Sequence, residues 1–443
     1  MIDYYLIRPL LAGLLLLSAM SLQAGPKIES WFTGNGARVM FVHAPELPMV
    51  DIELVFDAGA ARDGEAGGLA LLTNALLSDG AGEWDADQIA ERLEGVGAEI
   101  DSGAGRDMAW LSVRTLTEPG PLAKAVETLA GIAGTPRFRQ ADFERNRKAM
   151  LVSLSQGKQS PSTVAAKAFF KALYGDHPYA GYRGGTSESL AAISTGEVRA
   201  FYQRYYVARN AVVAIIGAVD RHRAEQLAEQ VTAQLSPGEH TQPPPVVDSL
   251  KSAQEVVLSF PSSQTHILMG QPGVYRGDPD YFPLYVGNHI LGGSGLVSLL
   301  NEEIREKRGL SYSTYSYFSP MRRRGPFIIG AQTQNARSGE TLKVVRETLQ
   351  RYIDKGPDEA ELQAAKQNIT GGFPLRIAGN SKIMGYLAVL GFYDQPLDYL
   401  DTFVDRVNRV TREQIRDAFA RRVDPARFVT VVVGNGEKAQ SDH

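Results

Sequence analysis

The chain has 443 residues, of which 44% are hydrophobic and 22% are charged, and it contains no cysteine. This length exceeds what one hydrophobic core usually holds, so we expect at least two domains. The lack of cysteine excludes disulfides, thiolate metal sites and a cysteine nucleophile. A formal net charge of −4 gives no electrostatic reason to expect a nucleic acid or an anionic membrane as the partner.

Residues 1–24 have the pattern of a secretory signal peptide. An apolar, leucine-rich run over residues 10–20 follows Arg8 and precedes a short segment that ends at Ala24. The run is shorter than the roughly 20 residues that a membrane-spanning helix needs, which favours a cleaved signal over a retained anchor. We therefore predict a periplasmic protein without membrane association after signal removal.

Predicted strands and helices alternate along a first part of the chain, residues 25–236. Its most informative helix is predicted over residues 67–77, where Leu69, Leu72 and Leu76 share an inward face. Other patterns predict strands at 37–42, 50–56, 98–102, 109–115 and 211–217, and helices at 85–96, 121–133, 140–154 and 195–206.

A proline-rich linker is predicted at residues 237–253. The consecutive prolines Pro243, Pro244 and Pro245 favour an extended spacer over a helix or a strand. The second part is predicted to span residues 254–437 and to be followed by a flexible tail at 438–443.

The order of predicted elements repeats after an offset of about 215 residues, which indicates an internal duplication. The strand at 266–270 corresponds to the strand at 52–56, and the closing strand at 428–434 corresponds to that at 211–217. The sequence thus predicts an α+β fold of two duplicated halves, each a mainly antiparallel sheet covered by helices.

Three stretches from both halves match one protein family in order. They are residues 173–179 (LYGDHPY), residues 186–190 (TSESL), and residues 299–317, which include REKRGLSY at 305–312. On these motifs the chain resembles the pitrilysin and insulinase family of zinc peptidases, which includes mitochondrial processing peptidase. The resemblance covers nearly everything after the signal and implies a clam-like arrangement of the two halves.

The resemblance places the zinc motif of active members, H-x-x-E-H, at positions that hold other residues here. Those positions are Ala70, Thr73 and Asn74, and the third ligand position is best matched by Ser153. Active members use two histidines and a distant glutamate as zinc ligands and the motif glutamate as a base. The resemblance therefore implies that the zinc site is vacated and that this chain holds no metal.

The seven histidines of the chain offer no obvious replacement site. No two of them are separated by three or four positions, the spacing that would place two imidazoles on one helical face. We predict no metal and no cofactor in this chain.

The second half carries a pair that the family presents to its active cavity, an arginine and a tyrosine seven positions apart, here Arg305 and Tyr312. A guanidinium and a phenol can donate hydrogen bonds to the scissile carbonyl and to the oxyanion that develops from it. Two alternatives remain open. Arg308 can pair with Tyr312 at i, i+4 spacing, or the segment is simply a solvated helix followed by a strand.

A basic run at residues 321–324 (MRRR) lies between two predicted strands. Its charge predicts either a solvated hairpin tip or contact with acidic groups of a partner.

Loss of the zinc motif with retention of the Arg305–Tyr312 pair leads to three functional hypotheses. The first is the non-zinc subunit of a heterodimeric periplasmic metallopeptidase, whose homologous partner carries H-x-x-E-H and the zinc and whose substrate is a peptide or an unfolded protein. The second is a non-catalytic structural or peptide-binding subunit, and the third is a homodimeric peptide-binding scaffold. On all three, we expect no peptidase activity from this chain alone.

Overall fold

The computed structural model describes residues 25–434, which form two main sheets with helices on both faces. The predicted signal peptide and the predicted tail lie outside the described residues. Within residues 25–434, none of the helices combines the length and the apolar character that crossing a bilayer requires.

The first half contains strands β1–β8 and helices α1–α8. The strands are β1 (Glu29–Phe32), β2 (Arg38–His43), β3 (Met49–Phe56), β4 (Gly80–Ala81), β5 (Trp84–Asp85), β6 (Glu99–Ala104), β7 (Ala109–Leu116) and β8 (Ala211–Gly217). The helices are α1 (Leu69–Ala75), α2 (Ala86–Glu94), α3 (Pro119–Gly134), α4 (Gln140–Lys158), α5 (Pro161–Tyr174), α6 (Ser187–Ala192), α7 (Thr195–Tyr205) and α8 (Arg221–Thr232).

The second half contains strands β9–β13 and helices α9–α15. The strands are β9 (Gln254–Ser259), β10 (Gln264–Pro272), β11 (Ser311–Phe318), β12 (Pro326–Gln334) and β13 (Val429–Gly434). The helices are α9 (Tyr281–Asn288), α10 (Leu299–Asn301), α11 (Ser338–Lys355), α12 (Glu359–Arg376), α13 (Asn380–Phe392), α14 (Tyr399–Arg409) and α15 (Arg412–Arg422).

The two sheets repeat one topology, which confirms the predicted duplication. The first sheet has the strand order β1-β2-β8-β3-β7-β6, and the second has β9-β13-β10-β12-β11. Each sheet contains one parallel pair, β2 with β8 in the first sheet and β9 with β13 in the second. The remaining pairs are antiparallel, so both sheets are mainly antiparallel as predicted.

Each sheet is covered on one face by a helix from the other half. Helix α5 packs on β10 and β13, where Phe169 shares a core with Val431. Helix α13 packs on β2, β3 and β8 of the first sheet. Its close approach depends on Gly391, because a Cβ there would lie 2.6 Å from Val212 and 2.7 Å from Met40. The halves therefore share hydrophobic cores, although residues 237–253 between them contain no helix or strand.

The basic run at residues 321–324 lies between the halves and contacts both of them, so the predicted solvated hairpin tip is wrong, while contact with a partner stays a prediction. The backbone N–H of Arg322 donates to Asp107 Oδ2 at 2.8 Å, and Arg323 Nε donates to the carbonyl of Pro244 at 2.6 Å. The acceptors belong to the first half and to the linker. They are distant in sequence, which is why charge and periodicity gave no sign of them.

A buried carboxylate, Asp107, joins the halves at this point. Its Oδ1 accepts a hydrogen bond from the Tyr179 hydroxyl at 2.6 Å, and its Oδ2 also accepts one from the Tyr393 hydroxyl at 2.8 Å. Burial and the Asp107 carboxylate raise the pKa of Tyr179, so this phenol stays protonated as a donor. Tyr179 closes the LYGDHPY motif, and its contact with Asp107 gives that motif a structural role.

Candidate functional site

Helix α1 begins with a glycine in the left-handed region and a buried aspartate. Gly68 has a φ of 95°, and a Cβ at this residue would lie 2.8 Å from Leu190. Asp63 accepts hydrogen bonds from the backbone N–H groups of Gly68 at 2.8 Å and Ala70 at 2.7 Å. These bonds satisfy two donors of the first helical turn. Burial raises the pKa of Asp63 to about 7, against the two hydrogen bonds, which lower it.

The face of α1 that the resemblance assigns to the zinc motif is filled by small side chains and is buried. Ala70 and Thr73 are 0% exposed, and Asn74 is 1% exposed. The Asn74 amide donates to the carbonyl of Trp110 at 3.1 Å and to the hydroxyl of Tyr206 at 3.3 Å. The Thr73 hydroxyl finds no hydrogen-bond partner among residues 25–434. This face is packed into the core, as is the neighbouring leucine face.

The fourth assigned position, Ser153, lies apart from this cluster. Its side chain is exposed on α4, whereas the neighbouring Leu154 is buried in the same core as Ala70. Met150 and Leu151 also pack against that core. The inward positions of α4 around Ser153 are thus apolar, and the structure does not bring Ser153 together with Ala70.

These residues do not fit a zinc ion. Ala70 has no donor atom, the Asn74 amide donates its N–H groups to protein acceptors, and the Thr73 hydroxyl is a neutral group. Within the described part of the chain, no three His, Cys, Asp or Glu side chains are grouped so that they could hold a metal ion. The first half therefore keeps the family architecture without its ligand set.

Arg305 and Tyr312 lie side by side near the edge of the second sheet. Arg305 belongs to a five-residue π-helical turn, Glu302–Glu306, and Tyr312 lies at a bulge where the register of β11 shifts. The Arg305 Cζ is 6.0 Å from the centroid of the Tyr312 ring, and Tyr312 is 84% exposed. Arg305 makes one long contact, 3.5 Å from its Nε to the neighbouring Glu306 carboxylate. Its guanidinium and the phenol are therefore accessible to a bound molecule.

The alternative arginine, Arg308, is engaged elsewhere. Its Nη1 donates to the Glu303 carboxylate at 2.6 Å and to the Glu303 carbonyl at 2.7 Å. Burial opposes ionisation of Glu303, but hydrogen bonds from Arg308 and Lys307 lower its pKa overall. Arg351 approaches the same carboxylate at 3.0 Å. Of the two arginines considered from the sequence, Arg305 is the one beside Tyr312.

Sequence reasoning gave no role to Glu53, which lines a small cavity between β3 and α13. Burial is the main cause that raises the pKa of Glu53 to about 7, and the negative charges of Asp101 and Asp51 add to it. Arg114 binds the neighbouring Asp51 through two hydrogen bonds of 2.6 and 2.9 Å. The sequence did hold a sign of this acidic cluster. Asp51 and Glu53 alternate with apolar residues in β3 and so share one face of the sheet.

Comparison with known proteins supports the family resemblance found in the sequence. The family described as Insulinase (Peptidase family M16) matches residues 38–187, and the Peptidase M16 inactive domain matches residues 192–369. A crystal structure of the peptidase M16 inactive domain from Pseudomonas fluorescens is 39% identical, with a TM-score of 0.90 over 93% of this chain and 98% of that chain.

Curated relatives match at lower identity over most of their length. An uncharacterized zinc protease of Mycobacterium leprae is 27% identical over 404 residues, which is 90% of this chain and 90% of that protein. The Non-peptidase homolog YmxG of Helicobacter pylori is 24% identical over 97% of this chain and 99% of that protein. The chain belongs to the insulinase (peptidase M16) family, and its second half matches the inactive domain of that family.

Proposed function

We propose that this chain is the non-zinc subunit of a heterodimeric zinc metallopeptidase of the periplasm and supplies Arg305 and Tyr312 to peptide-bond hydrolysis. One observation carries the proposal, the asymmetry between the halves. The zinc-motif positions of α1 are buried and lack ligands, whereas Arg305 and Tyr312 are adjacent and accessible. Because Tyr312 is 84% exposed, its ring contributes little to the core, and a binding role explains it better than packing.

The contribution of this chain would be hydrogen-bond donation to the substrate. The Arg305 guanidinium carries five N–H donors and the Tyr312 phenol carries one. Both can donate to the scissile carbonyl oxygen as it gains negative charge, and losing one such donor typically lowers kcat by about 100- to 1000-fold. The metal ligands and the base would belong to a homologous partner with an intact H-x-x-E-H motif.

An extended peptide or an unfolded protein is the substrate that this surface favours. Strand β11 is the last strand of its sheet, so its outer backbone groups have no neighbouring strand among residues 25–434. Such an edge can pair with the backbone of an extended peptide. Tyr312 lies on this strand, which would place the peptide backbone next to the donor pair.

A second candidate is a non-catalytic structural or peptide-binding protein. It is supported by the name of the Helicobacter pylori relative, Non-peptidase homolog, which this chain matches over nearly its whole length. On this alternative, Arg305 and Tyr312 would be dispensable for every activity of a complex that contains the chain.

The proposal is tested by assaying the mature chain alone and mixed with an H-x-x-E-H homologue from the same organism. We expect no cleavage of a quenched fluorescent peptide by the chain alone, and zinc-dependent cleavage by the mixture well above that of the homologue alone. Chelator-sensitive cleavage by this chain alone would contradict the proposal, and so would a mixture no more active than the homologue. The N-terminal sequence of the protein from a periplasmic fraction tests the predicted location and signal removal.

A further inference from the structure

A cavity of about 380 Å³ lies between the two halves, where the β6–β7 turn, helix α5 and the end of β11 meet. We call it the α5–β11 groove. Its chemically informative lining consists of three cations and three aromatic rings, Arg106, Lys167, Arg183, Phe170, Tyr182 and Tyr317.

The three cations of the groove have no acidic partner. Arg106, Lys167 and Arg183 form no ion pair within 4 Å among residues 25–434. The acid that follows Arg106 in sequence, Asp107, attracts this guanidinium but accepts its hydrogen bonds from two tyrosine hydroxyls and a backbone N–H. Three cations therefore share this part of the molecule with one carboxylate, which leaves an excess of positive charge.

Two of the cations are held against aromatic rings. The Arg106 Cζ lies 3.7 Å from the centroid of Phe170, and the Lys167 Nζ lies 4.0 Å from that of Tyr182. Burial lowers the pKa of Arg106 to about 10 and also lowers the pKa of Lys167. Partly desolvated cations without a counter-ion are costly, and an anion bound among them would offset that cost.

The groove lies at the end of the strand that carries Tyr312. Tyr315 and Tyr317 follow it on β11, with their rings stacked 5.9 Å apart, and Tyr317 reaches the groove. Five strand residues at about 3.3 Å each separate Tyr312 from Tyr317 by about 16 Å. A peptide paired with β11 would thus place a group about five residues away from Tyr312 in the groove.

We propose that the α5–β11 groove binds a carboxylate of an extended peptide, either its C-terminal carboxylate or an Asp or Glu side chain. Guanidinium groups bind carboxylates through paired hydrogen bonds, and the rings offer apolar contact to the adjoining peptide atoms. The edge strand that leads to the groove favours a peptide over other anions, because it pairs with a peptide backbone. The inference rests on the proposed function only in taking the ligand to be a peptide, since binding here needs neither the partner nor its metal.

Fluorescence anisotropy with the mature full chain tests this site. The probes are N-terminally labelled, alanine-rich decapeptides with one Phe before the last residue, ending in a free carboxylate, in an amide, or in an amidated Glu. We expect at least one of the two carboxylate peptides to bind about tenfold more tightly than the plain amide. The tighter of the two identifies the source of the carboxylate, and equal affinity of all three would overturn the site.

Two variants locate the binding. Lys167→Gln and Arg183→Gln should each lower the affinity for the carboxylate peptides by about five- to tenfold and leave the affinity for the plain amide unchanged. Lys171→Gln is the matched control, because Lys171 lies one turn along α5 and contacts Gly175 and Asp176 instead. Full carboxylate preference in both groove variants, or equal loss in the control, would overturn the assignment.

The outcome separates the site from the proposed function. If carboxylate preference persists but the two-chain mixture shows no added cleavage, only the catalytic proposal fails. If cleavage is obtained but the carboxylate preference is absent, only the groove assignment fails. Thermal unfolding of each variant, compared with that of the wild type, ensures that affinity is measured on folded protein.

Discussion

The two halves of the chain repeat one strand order, but the candidate residues of the first half are buried and those of the second half are accessible. In the first half, Ala70, Thr73 and Asn74 are sealed inside the core, and a zinc ion has no ligands there. In the second half, Arg305 and Tyr312 remain accessible at the sheet edge. The comparison shows that the same fold can bury a helix face in one half and leave an arginine–tyrosine pair accessible in the other, because a fold does not by itself determine which side chains are available for function.

The largest effect is expected where the two halves meet. Asp107→Ala removes the acceptor of Tyr179, Tyr393 and the Arg322 backbone, leaving buried donors without partners. We expect the free energy of unfolding to fall by about 3–5 kcal/mol in urea titrations. Asp176→Ala, an exposed acid nearby, is the control and should change it by less than about 0.5 kcal/mol. A loss at Asp107 as small as in the control would mean that the halves do not depend on this junction.

A smaller effect on stability is expected from introducing the first histidine of the H-x-x-E-H motif into the first half. Ala70→His inserts an imidazole at a position that is 0% exposed, and overpacking of this kind costs about 1–3 kcal/mol. Ala75→His, on the less buried side of the same helix, is the control and should cost less. Unfolding in urea and zinc titration check both changes. An Ala70→His variant that binds zinc tightly at full stability would show that the first half still has room for its site.

The smallest effect is a pH dependence at the buried acid of the first sheet. The pKa of Glu53 rises from 4.5 to about 7 in the folded state, so its contribution to stability is complete below about pH 4.5 and is lost as pH rises through 7. The Glu53→Gln side chain stays neutral at both pH values. The free energy of unfolding of this variant, relative to wild type, should therefore be about 1–2 kcal/mol higher at pH 8 than at pH 5.

Urea unfolding at these two pH values measures that difference. Glu94→Gln, an exposed acid at the end of α2, serves as the control and should change stability equally at both. A Glu53→Gln effect on stability that is the same at pH 5 and pH 8 would contradict a raised pKa of Glu53 in the folded protein.

Much of the fold could be predicted because local patterns determine it. The alternation in β3 and the continuous apolar run of β8 identify these strands, and their recurrence in β10 and β13 reveals the duplication. The exchange of α5 and α13 between the sheets could not be predicted. An apolar helical face shows that a helix is covered, but it does not show which sheet covers it.

The site could be predicted only in part, for a similar reason. The family resemblance identified Arg305 and Tyr312 through their seven-residue spacing, and the structure adds that Arg308 is bound to Glu303. The match of Ser153 followed position along the chain, whereas the rotation of α4 decides which side chains face the core, and those next to Ser153 are apolar. The α5–β11 groove left no local pattern at all, because its residues come from distant parts of both halves.

The most direct test of the account is kcat of the two-chain peptidase with Arg305→Ala or Tyr312→Phe in this chain. We predict that each substitution lowers kcat by about 100- to 1000-fold, with a much smaller change in KM. Tyr275→Phe, which alters another exposed tyrosine of the second half, should leave kcat unchanged. Wild-type kcat in both Arg305→Ala and Tyr312→Phe would contradict the account and would assign the chain a non-catalytic role.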